Sequence, residues 1–129
     1  MKDSELFKRG LEIRKAVLGA EYVEKSIASA NSFNLPMQEL ATEYCWGEVW
    51  GRDGLSHKTR SMLNLAMISA LNRPHELKLH VKGALNNGVT RDEIREVFLQ
   101  VAIYCGVPAG IDSFRIAREV FDAIDAEKK

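Results

Sequence analysis

Met62-Leu63-Asn64-Leu65-Ala66-Met67-Ile68-Ser69-Ala70-Leu71 is the stretch on which the fold turns. Wound as a helix, it carries apolar residues on nearly every face, and no period-two alternation runs through it. A helix of that kind sits at the centre of a bundle or faces a partner subunit. Ser56 can cap its start. The turn residues Gly51, Asp53 and Gly54 close the segment before it.

Downstream, Pro74 restarts the chain, with Asn72 as the best nearby cap and Arg73, His75 and Glu76 in the first turn. Asn87-Gly88 is a left-handed stop. Thr90 and Glu93 have capping-box spacing, and the helix they open puts Ile94, Val97, Phe98 and Val101 on one face. It breaks near Gly106-Val107-Pro108. A last helix carries Phe114, Ile116, Val120 and Phe121 and fades into the charged tail 125–129.

Upstream, Leu6, Leu11, Ile13, Val17 and Leu18 give an amphipathic helix over residues 3–18, stopped at Gly19. A short helix follows over 21–29. After the polar break 31–34, Asn34 is placed as a cap and Pro36 as an early position of a helix reaching Trp50. The expectation is an all-α chain of about six or seven helices with short connections.

Composition supports a single globular domain. The chain has 129 residues, of which 46% are hydrophobic and 28% charged, enough apolar content to exclude disorder. Eighteen basic residues balance eighteen acidic ones. That balance argues against a nucleic-acid or anionic-membrane partner and favours self-association. The two cysteines, Cys45 and Cys105, form neither a disulfide framework nor a CxxC pair, and are read as reduced thiols, Cys105 as a small buried residue. The first ten residues have no signal-peptide core, and no stretch is long enough to span a membrane. A cytoplasmic protein is expected.

Chemistry concentrates in two places. The first is Asn72-Arg73-Pro74-His75-Glu76-Leu77-Lys78-Leu79-His80. Glu76 and His80 lie one turn apart on one helical face, and Arg73 can share that side if the helix starts by Asn72. Arginine binds carboxylates bidentately and histidine titrates near neutrality, so the trio suits a small acid. The plain alternative is a surface helical pair, which spacing alone favours. His75 and His80 are not spaced as HExxH, so no metal site is expected.

The second is Glu43-Tyr44-Cys45-Trp46-Gly47-Glu48-Val49-Trp50. Trp46 and Trp50 share a helical face with Glu43, whereas Glu48 shares another with Tyr44. Aromatic neighbours can raise a carboxyl pKa by desolvation and make an acid catalyst. The plain alternative is an aromatic core stripe with solvated acids. His57 is read as an exposed first-turn residue.

Taken together, residues 38–50, 59–67, 70–80, 84–90 and 102–108 resemble the carboxymuconolactone decarboxylase family. The runs Trp46–Trp50 and Asn72–His80 are the specific ones. The resemblance implies an alkyl hydroperoxidase D-like helical bundle that assembles as a homotrimer or homohexamer. In the redox relatives of that fold a CxxCxxxH motif and an upstream relay glutamate act. Here Arg73 and Glu76 stand at the two cysteine positions, His80 at the histidine and Ser61 near the glutamate, so the thiol pair is missing.

The implied reaction is cofactor-free decarboxylation of 4-carboxymuconolactone to 3-oxoadipate enol-lactone in aromatic degradation. The lactone carbonyl is its own electron sink, so neither a cofactor nor a metal is called for. The resemblance assigns His80 to the proton or the oxyanion, Glu76 or Glu48 to orienting His80 or acting as acid, and Arg73 to a carboxylate. Trp46 and Trp50 would form apolar walls, and His75 would be a further substrate contact. Three other readings compete. They are a sister decarboxylase or isomerase of a related lactone or β-keto acid, an alkyl hydroperoxidase-like reductant, and a non-catalytic binding protein.

Overall fold

The computed structural model describes residues 2–128, all of whose regular structure is helical: seven α-helices and one π-helical stretch. The chain forms two compact units, 1–57 and 58–129, taken here in turn.

The first unit holds α1 (Glu5–Leu18), α2 (Ala20–Ala28), α3 (Leu35–Leu40) and the π segment Ala41–Val49 that continues α3. Ser4 caps α1, its side chain accepting from the Phe7 amide. Gly19, at φ 97°, ends α1 and leads directly into α2. Asn34 occupies the cap position of α3 but makes no capping bond. Its side chain instead accepts from the Asn31 amide at 2.8 Å and closes the turn before the helix.

The helix expected to reach Trp50 is α-helical only to Leu40. Beyond it the bonds widen to i→i+5, as in Trp50 N–H to Cys45 C=O at 3.0 Å. This widening accompanies a close approach to α1, where Gly10 faces the backbone of Thr42 and Gly47, and Gly47 faces that of Leu6. Val17, Trp46 and Trp50 form the core here, with Ile13 and Leu18 packed on them.

The second unit contains α5 (Pro74–Asn86), α6 (Arg91–Cys105), α7 (Val107–Glu127) and all but the first residue of α4 (His57–Leu71). Its core is built from Leu65, Leu77, Val81, Ala84, Val89, Ile94, Phe98, Ala117 and Val120. Only one side of α4 serves that core: Ser61, Leu65 and Ser69 are buried, while Leu63, Met67 and Leu71 stay exposed. Thr90 and Glu93 form the complete capping box of α6. Gly88 (φ 87°) and Gly106 (φ 108°) supply the stops before α6 and between α6 and α7.

The start of α5 departs from expectation. Asn72 does not cap it. It adopts φ 59°, the one non-glycine residue in the left-handed region among those described, and turns the chain out of α4. Arg73 takes the cap position and Pro74 the first helical one, so Arg73 lies outside the helix rather than in its first turn. Among the described residues no helix is long and apolar enough to cross a membrane.

Candidate functional site

In the second unit, α5 carries His75, Glu76 and His80. Glu76 and His75 are exposed in its first turn, and His80 is half-buried one turn further on. Burial pushes the His80 imidazole below its usual range, and the Glu76 carboxylate pulls partly the other way. Desolvation penalises the charged ring more than one neighbouring carboxylate favours it, so His80 is neutral at pH 7. A neutral imidazole offers one N–H and one lone pair, fit to hydrogen-bond a carbonyl that is becoming an oxyanion. The shared face of Glu76 and His80 is therefore as expected.

Arg73 is exposed, and its Nη1 donates to the Leu71 carbonyl at 3.2 Å. It borders a cleft of about 10 Å³, space for one water and not for a lactone. Ser61, near the place of the relay glutamate in redox relatives, is fully buried and accepts from Asn87 Nδ2 at 2.9 Å. That bond ties α4 to the end of α5.

In the first unit, Trp46 and Trp50 stack with ring centroids 4.8 Å apart, and both are buried. They are core residues, and Trp50 also borders a cavity described below. Glu48 and Tyr44 are exposed on the far side of the same segment. Glu43 runs opposite to the desolvated-acid expectation. Ser4 Oγ donates to it at 2.7 Å and Lys2 Nζ at 3.0 Å, and these bonds hold its carboxyl below the usual range.

Both cysteines are exposed, so Cys105 is not the buried residue expected. The Cys45 thiol is nonetheless pushed up by desolvation, with Arg14 opposing, which keeps it a poor nucleophile at neutral pH. Arg14 itself is buried and donates through Nη1 to Gln38 Oε1 at 2.8 Å and Thr42 Oγ1 at 3.1 Å. Among the described residues no group of three or more His, Cys, Asp and Glu could hold a metal ion.

Arg9 and Arg52, which the sequence did not single out, and His57, expected as an exposed first-turn residue, line one cavity of about 380 Å³ in the first unit. His57 is half-buried. Its Nε2–H donates to the Trp50 carbonyl at 3.0 Å, and its ring meets the Trp50 ring edge-on at 5.5 Å. The signal available for it was its position shortly after Trp50 across a glycine-rich turn.

Comparison with known proteins bears on the whole chain. It is 42% identical over 121 residues to a 4-carboxymuconolactone decarboxylase of Acinetobacter baylyi, covering 94% of this chain and 90% of the relative. It is 47% identical over 121 residues to a nitrosuccinic acid decarboxylase of Metarhizium robertsii, covering 93% and 85%. An uncharacterized 15.0 kDa protein of Paracoccus denitrificans is 35% identical over 88 residues, 66% of this chain and 65% of that one. The profile of the carboxymuconolactone decarboxylase family matches residues 36–119. The match takes in both specific runs, Trp46–Trp50 and Asn72–His80, and the chain belongs to the carboxymuconolactone decarboxylase family.

Proposed function

We propose that this protein is a cofactor-free carboxy-lyase that decarboxylates 4-carboxymuconolactone to 3-oxoadipate enol-lactone in the cytoplasm. The observation that carries this reading is similarity over nearly the whole chain to a decarboxylase of that lactone. The lactone's C–COO⁻ bond breaks and CO2 leaves. The electron pair moves through the ring C=C into the lactone carbonyl, giving a 2-oxyfuran anion. A proton then adds to the carbon beside that carbonyl.

The protein's tasks are to hold the second carboxylate, stabilise the oxyanion and supply the proton. His80, neutral at pH 7, suits the hydrogen bond to the oxyanion better than the role of standing acid. Glu76 orients it from one turn away, and Glu48 is the other candidate acid. Arg73 and His75 supply charge and hydrogen bonds for a carboxylate at the start of the same helix.

The similarity to a nitrosuccinic acid decarboxylase supports a second substrate. Both acids share a succinate skeleton: one carbon bears the departing carboxylate, a carboxymethyl arm and an electron-withdrawing group. In nitrosuccinate the nitro group receives the electron pair.

The exposed apolar side chains Leu63, Met67, Leu71, Ile103 and Tyr104 support assembly into a homotrimer or homohexamer, which sedimentation would read directly.

The test is to incubate purified protein, with chelator and no added cofactor, with each acid and follow CO2 and product by NMR. Turnover of the lactone that falls at least a hundredfold in His80→Ala is expected. Turnover of nitrosuccinate alone would move the reading to the second substrate. Turnover of neither, or a fully active His80→Ala, would overturn the substrate or the role.

A further inference from the structure

The cavity between the middle of α1 and the turn 50–57 holds none of the titratable residues assigned to the decarboxylation. Arg9 and Ile13 form one side, and Trp50, Gly51, Arg52, Asp53, Leu55, Ser56 and His57 the other. Its volume, about 380 Å³, falls in the range of small-molecule sites, roughly 300–1,000 Å³. Two guanidinium groups border it against one carboxylate, that of Asp53, so its charge favours an anion. Ile13 and the exposed Leu55 give it an apolar side beside that charge, with the buried Trp50 beneath.

Two features show that Arg9 is held in place here. Its Nη2 donates to the Gly51 carbonyl. A Cβ at Gly51 would lie 3.0 Å from Arg9 Nε and 3.2 Å from Cζ, so the guanidinium lies directly over a residue with no side chain. The bond to Gly51 uses one of five N–H donors, and the planar fork suits a carboxylate. His57 is likewise fixed through Nε2–H to the Trp50 carbonyl.

Arg95, on α6 and outside this cavity, pairs with Asp92 and Glu96 and serves as a control position.

We propose that the Arg9–Arg52–His57 cavity binds a small dicarboxylate of succinate skeleton, Arg9 and Arg52 engaging carboxylates while the carbon skeleton lies along Leu55 and Ile13. The choice of that skeleton rests on the decarboxylase reading, whereas the preference for an anion rests on the cavity itself.

The test separates the two. Both tryptophans of the chain lie in this unit, so their emission and indole N–H signals report on it. Succinate is titrated into the full-length wild type and into Arg9→Gln, Arg52→Gln and, as a control, Arg95→Gln. Saturable binding is expected, weakened at least tenfold by Arg52→Gln and by Arg9→Gln and unchanged by Arg95→Gln. Circular dichroism confirms that the variants fold.

No saturable succinate binding, or equal binding by all four proteins, overturns the proposal. Lactone turnover by a protein that shows no saturable succinate binding overturns it while leaving the decarboxylase reading intact. Succinate binding that both cavity variants lose, with no turnover of either acid, supports the cavity while the decarboxylase reading falls.

Discussion

Gly10 of α1 and Gly47 of the π segment meet backbone to backbone: a Cβ on Gly10 would lie 2.8 Å from the Gly47 amide nitrogen, and closer still to the Thr42 carbonyl oxygen. Neither neighbour is the end of a flexible side chain, so nothing can swing aside. Gly10→Ala is expected to destabilise the fold by about 3 kcal/mol or more, at the upper end for overpacking. Gly19→Ala meets no neighbour and suffers only from φ 97°, a cost of about 1 kcal/mol. Urea unfolding of the two variants checks the order.

Acid should loosen the first unit through Glu43. Its folded pKa is depressed by Ser4 and Lys2, so its stabilisation is complete above the unfolded carboxyl value and disappears as pH falls through the folded one. Glu43→Gln is therefore expected to flatten the dependence of Tm on pH in the acid range. Ser4→Ala removes both that bond and the α1 cap, and the cap alone is worth about 1 kcal/mol.

His80 should titrate below an ordinary histidine in NMR. Its folded pKa lies under the unfolded one, so the stability it confers is present above the unfolded value of 6.5 and is lost as pH falls. Glu76→Gln removes the opposing carboxylate and is expected to lower the His80 pKa further. An upward shift would mean that Glu76 does not act on the ring.

Asn87→Ala leaves the buried Ser61 hydroxyl without the amide that donates to it, at a cost of about 1–3 kcal/mol. Asn87→Ala combined with Ser61→Ala should recover part of that loss. A thermodynamic cycle by urea unfolding reads the coupling, and additive losses would show that the bond contributes nothing.

Local signals were legible where one short motif sets one backbone feature. Thr90 and Glu93 announced their capping box, Gly88 and Gly106 their stops, and Ile94, Phe98 and Val101 their buried face. Asn72 and Arg73 were misassigned because the left-handed turn out of α4 uses Asn72, which pushes the cap one residue on. The Glu43 carboxyl depends on Ser4 and Lys2, far away in the chain, so no local rule could give its direction. The Glu76–His80 face was visible from spacing alone. The cavity of Arg9, Arg52 and His57 was not, because Arg9 reaches it from another helix.

The widened winding of Ala41–Val49 makes chain length itself a constraint. Deleting one residue there would draw the segment toward ordinary winding and change which of its residues face α1. Trp50 would then swing away from Val17, and Gly47 would no longer pass Leu6. Substitutions at its exposed positions, Tyr44 and Glu48, are thus tolerable, whereas a side chain at Gly47, or an insertion or deletion, is not. Among homologues, gaps should fall in the turns at 29–34 and 51–56 and spare residues 41–49.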